Sequence, residues 1–102
     1  MPAEPFTVRR RKRAHPSPLL GQKVLIDLGY DLLENDRLDE STQVFKFAVE
    51  LFPESSNAYD SLGEAYAAGG EKELAIKNYR RSLELNPQNT NAAEKLKELE
   101  GK

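Results

Sequence analysis

Cysteine is absent from the 102 residues, and histidine occurs once, as His15. Without thiols there is no disulfide framework, no thiolate nucleophile and no zinc site of the cysteine kind, so the fold must stand on its hydrophobic core. A zinc site needs three or four converging His, Cys or carboxylate ligands, which one histidine does not supply. His15 lies among prolines and basic residues and reads as a solvated loop residue, so no metal or other cofactor is expected. Long apolar runs are also missing, since nothing approaches the roughly 18 residues of a membrane span. Neither a Gly-x-Ser-x-Gly elbow nor a Ser-x-x-Lys pair occurs, and no glycine-rich loop is placed to cradle a phosphate. The chain is therefore not expected to be an enzyme.

What is present divides unevenly. The net charge of -2 splits into +4 over residues 1–20, from Arg9, Arg10, Arg11, Lys12 and Arg13 against Glu4, and -6 over the rest. Pro2, Pro5, Pro16 and Pro18 lack amide donors and push the residues before them away from helical geometry. Residues 1–20 therefore read as an extended or disordered basic arm on an acidic body over 21–102. A secretory signal would need an apolar core after the basic cluster, but Ala14-His15-Pro16-Ser17-Pro18 follows, and a cytoplasmic location is expected.

In the body the sequence repeats itself at a spacing of 34 residues without a gap. That shift aligns Leu28 with Leu62, Gly29 with Gly63, Glu50 with Glu84, Leu51 with Leu85 and Pro53 with Pro87, and sets Phe45 on Tyr79 and Ser41 on Ala75. Asn35-Asp36 falls on Gly69-Gly70, residue types that tolerate a left-handed conformation at a helix end. Each unit reads as a helical hairpin, with helices expected at about 22–34 and 38–52, then 56–68 and 71–85, the second of each pair stopped by proline. Repeat one thus spans about 22–55 and repeat two about 56–89. Ser55 and Asn89 are the expected caps of the helices that follow them. A last helix, about 90–100, keeps the register through Asn91, Ala92, Leu96 and Glu98 but has Ala93 and Lys97 where repeat two has Tyr59 and Gly63, which suits a terminal cap.

This period, with Tyr59, Leu62-Gly63, Tyr66, Ala75, Tyr79, Ser82 and Pro87 at their spacings, resembles the tetratricopeptide repeat. Repeat one carries Leu25, Leu28, Gly29, Leu32, Ser41, Phe45, Ala48 and Pro53 at the same places, keeping the size pattern with fewer aromatics. The resemblance covers residues 22–102. It implies an all-α fold, an α–α superhelix of two hairpins plus a capping helix, acting as a non-catalytic protein-interaction scaffold. Residues 52–99, with SSNAYDSLGEAY and AIKNYRRSLELNP, also resemble repeat tails appended to bacterial serine hydrolases and esterases, a likeness that carries over no catalytic role.

In the family the first helices line a concave groove that receives extended peptides or partner helices. Carried over by position, the groove residues are Lys23, Ile26, Tyr30, Leu33 and Glu34, then Asn57, Asp60, Glu64, Ala67 and Ala68, then Asn91, Glu94 and Glu98. The wall is apolar near repeat one and acidic beyond, which would complement a basic or amphipathic ligand; the same carboxylates read equally as a solvated face. The clamp of lysine, asparagine and arginine by which some family members grip acidic chaperone tails is missing: Ile26, Tyr30, Asp60 and Glu64 occupy that region.

Two further expectations concern the ends. Arg9–Arg13 could contact phosphates of nucleic acid or an anionic surface, the alternative function, although the acidic body would repel a nucleic acid and a solvated linker is the favoured reading of the tract. A first hairpin without a polar cap, in a chain of two and a half units, predicts self-association, because such repeats bury their faces on neighbours.

Overall fold

A computed structural model describes the backbone of residues 18–101 and the side chains of residues 21–101. Arg9, Arg10, Arg11, Lys12, Arg13 and His15 lie outside the described residues. Five helices follow one another: α1 (Pro18–Glu34), α2 (Leu38–Leu51), α3 (Ser56–Ala68), α4 (Lys72–Leu85) and α5 (Thr90–Glu100), with no strand among the described residues. α1 begins four residues before the expected Gln22. Proline is well suited to a first helical position, where its missing amide would have had no partner, so Pro18 opens the helix instead of ending an arm.

Both hairpin turns use one device. After α1 the Arg37 amide donates to the Leu32 carbonyl at 2.9 Å and the Asp36 amide to Leu33 at 3.3 Å, with Asp36 at φ 61. After α3 the Glu71 amide donates to Tyr66 at 2.9 Å and the Gly70 amide to Ala67 at 3.1 Å, with Gly70 at φ 78. These are paired Schellman closures, in which a left-handed residue turns the chain back onto the last carbonyls. The two caps behave as their side chains require: Ser55 Oγ accepts the Ala58 amide at 3.0 Å and Asn89 Oδ1 the Ala92 amide at 3.2 Å.

Within each hairpin a glycine admits an aromatic ring. A Cβ on Gly29 would stand 2.2 Å from Phe45 Cε1, and one on Gly63 3.1 Å from Tyr79 Cδ1. Phe45 and Tyr79 are the largest fully buried side chains. Ser41, in the place Ala75 takes in repeat two, is small enough for the close approach and donates its hydroxyl to the Gly29 carbonyl at 2.7 Å.

Between hairpins, Ala58, Leu62 and Ala65 of α3 pack with Ile26, Phe45 and Ala48. α5 closes the far end by laying Ala92, Leu96 and Leu99 near Ala75, Tyr79 and Leu83, and Tyr66 joins both clusters. The near end is different. Val24 and Leu28 are 57% and 44% exposed, whereas Ala58 and Leu62, one repeat later, are 0% and 4%.

Candidate functional site

α1, α3 and α5 carry the expected groove positions, and hydrogen bonds between their side chains hold them in register. The Tyr30 hydroxyl donates to Glu64 Oε1 at 2.9 Å and accepts from Ser61 Oγ at 3.1 Å. Its ring meets Phe45 edge-on, with centroids 5.1 Å apart. Burial, opposed by the Ser61 bond and aided by the negative charge of Glu64, pushes the phenol well above its ordinary pKa. Tyr30 is therefore a neutral donor that fixes one oxygen of Glu64 and leaves the other open.

Asp60 does a different job from the one its charge suggests. Only 7% exposed, it accepts from Asn91 Nδ2 at 3.0 and 3.1 Å and from Asn89 Nδ2 at 3.1 Å. Amide donors satisfy this buried carboxylate, which ties α3 to the start of α5. Asn89 thus caps α5 with its oxygen and, with its nitrogen, reaches Asp60 and Ser82 Oγ, the latter at 2.9 Å. Ser82 Oγ donates in turn to the Ser56 carbonyl at 2.8 Å, and Ser56 Oγ donates back to the Ser82 carbonyl at 2.9 Å. The 34-residue alignment offered Asn89 only as a cap and Ser82 only as a small residue; their second bonds carry no signal in the period.

The expected groove residues accordingly separate. Ile26, 8% exposed, is packed into the core against the α3 cluster. Asp60 and Asn91 are engaged with each other. Lys23 makes an exposed ion pair with Asp27 at 2.8 Å on its own helix. Glu34, Asn57, Ala67, Ala68, Glu94 and Glu98 are exposed, while Leu33 and Glu64 are half-buried. None of Glu34, Glu64, Glu94 and Glu98 has a cation partner among the described residues.

A larger recess of about 620 Å³, which the period did not announce, opens beside Tyr59, Ile76, Lys77 and Arg81. Arg81 is engaged there, over the Tyr59 ring at 5.8 Å and with Glu84 at 3.0 Å. No group of His, Cys, Asp and Glu among the described residues could hold a metal ion. No helix among them is long and apolar enough to cross a membrane.

Residues 56–89 match the family model of the tetratricopeptide repeat. The chain is also similar to the chloroplastic tetratricopeptide repeat domain-containing protein PYG7 of Arabidopsis thaliana, 34% identical over 62 residues, or 61% of this chain and 21% of that protein. It therefore spans about a fifth of that relative's length. The matched unit is a third of the chain, and its repetition 34 residues earlier and the five helices joined through small-residue contacts are similar to successive tetratricopeptide repeats.

Proposed function

We propose that the chain is a non-catalytic protein-interaction module that receives a peptide or partner helix against α1, α3 and α5. The observation carrying this reading is the cross-helix lattice, Tyr30 to Glu64 and Ser61, Asp60 to Asn91 and Asn89. It holds three first helices as one rigid surface, which reduces the ordering cost of binding. On that surface Ala67 and Ala68 leave room for a ligand backbone, and Glu64, Glu94 and Glu98 make the face acidic. The ligand is accordingly basic or amphipathic.

Selection from a random peptide library on the full chain tests this. Selected peptides should be basic, should be lost on Ala67→Arg or Glu94→Lys, and should survive deletion of residues 1–17. Peptides indifferent to both substitutions overturn the groove reading. Binding that disappears only on the deletion overturns it too and makes the basic arm the site.

The exposed Val24 and Leu28 favour a second reading, self-association. In that reading the apolar face of α1 meets its like in a second copy about a two-fold axis.

A further inference from the structure

A cavity of about 300 Å³ opens between α3 and α5, with Glu64, Glu98, Ala67, Ala68 and Leu99 in its walls. Two carboxylates alone would be an ordinary surface feature. Tyr79, however, lines the same cavity while only 1% exposed, and its hydroxyl has no hydrogen-bond partner among the described residues. Its equivalent in repeat one is Phe45, which fills the same place against a glycine with no hydroxyl. The ring packing therefore does not account for the oxygen, and a buried polar atom calls for a partner.

The surroundings select its charge. Burial raises the Tyr79 phenol well above its ordinary pKa, and Glu64, Asp60 and Glu98 add to the rise, so the hydroxyl sits in a negative field. Tyr30, Glu64 and Glu98 occupy one repeat position in three successive first helices. Tyr30 takes one oxygen of Glu64 and leaves the rest of the column as acceptors.

We propose that this cavity is a subsite for one lysine side chain of the bound peptide, its ammonium shared by Glu64, Glu98 and the Tyr79 oxygen. An ammonium has three donors for these three acceptor groups, and its aliphatic stem lies along Ala67, Ala68 and Leu99. Among the described residues Lys95, also in the wall, is the cation that competes with the entrant. The assignment rests on the groove reading for the ligand being a peptide, and on the cavity alone for its being lysine.

The test is a titration of the isotope-labelled full chain with Nα-acetyl-lysine methylamide, followed by nuclear magnetic resonance, with the norleucine and arginine analogues alongside. The lysine probe should shift the Ala67 and Ala68 methyls and the Glu98 amide, and norleucine should leave them unmoved. Glu98→Gln should weaken lysine binding about tenfold and Tyr79→Phe about threefold, since the ammonium loses a charged acceptor in the first and an uncharged one in the second. Phe45 in repeat one shows that phenylalanine suits the Tyr79 position, and helical circular dichroism checks both variants. Equal shifts from norleucine, stronger binding of arginine, no shift from lysine, or indifference to both substitutions overturns the subsite. If the lysine probe fails while library peptides are still lost on Ala67→Arg, the subsite falls and the groove stands. If the probe behaves as expected and the library yields nothing, the groove falls and a lysine site remains.

Discussion

Tyr30 and Glu64 hold the same repeat position in successive hairpins, 34 residues apart, and their side chains meet at 2.9 Å. One position of the repeat is thus an aromatic donor in one unit and an acidic acceptor in the next. Tyr30→Phe keeps the ring on Phe45 but removes the donor to Glu64. A loss of about 1 kcal/mol is expected, read from urea unfolding. In a double-mutant cycle with Glu64→Gln, strict additivity would show that the two side chains do not interact.

Gly29 and Gly63 are identical in sequence position yet differ in tolerance. Alanine at either gains about 1 kcal/mol of helix propensity. At Gly29 the new methyl meets Phe45 at 2.2 Å, and a net loss of about 2–3 kcal/mol is expected; at Gly63 the 3.1 Å contact with Tyr79 limits the loss to below about 1 kcal/mol. Thermal melts of the two variants decide it, and an equal or reversed order contradicts the packing described.

Gly70 at φ 78 closes the second hairpin. Gly70→Ala should cost about 1 kcal/mol, because a Cβ is strained in the left-handed region even in open space. A denaturation midpoint unchanged by the substitution would mean that the turn takes another conformation in solution.

Alkali should unfold the protein through its buried phenols. Burial raises Tyr30 and Tyr79 above the ordinary value of 10.0, so below that pH both folded and unfolded chains keep these protons. Above it the unfolded chain ionises first, and stability falls as pH climbs toward the folded-state values. Urea midpoints should be flat through neutral pH with respect to these groups and drop beyond pH 10.0, with a shallower drop in the Tyr30→Phe, Tyr79→Phe double variant. An unaltered alkaline limb would place the loss elsewhere.

The apolar end predicts dimers. Leu28→Lys should shift sedimentation toward monomer over micromolar concentrations while helicity is retained, and a wild-type chain that is strictly monomeric there removes the second reading.

Local chemistry made much of the architecture legible. Proline after α2 and α4, Ser55 and Asn89 as caps, and the alignment of Asn35-Asp36 on Gly69-Gly70 mark boundaries that short-range hydrogen bonding enforces. Pro18 was the exception, since proline both ends extended arms and opens helices. The candidate site was less legible. Family positions locate a face of each first helix, but they do not tell a carboxylate that meets solvent from one that meets an amide.

The 34-residue period by itself determined two hairpins and a cap, because glycine, small residues and an aromatic at that spacing permit one close helix pairing and then its repetition. Only the tertiary structure decided which polar side chains remain available. Asp60 is satisfied by Asn89 and Asn91, some thirty residues away, Glu64 is half-engaged by Tyr30, and Glu98 stays open. The same holds for Leu28 and Leu62, one leucine in two copies of one motif. Burial belongs to what packs against a residue, and for Leu62 that is the preceding hairpin.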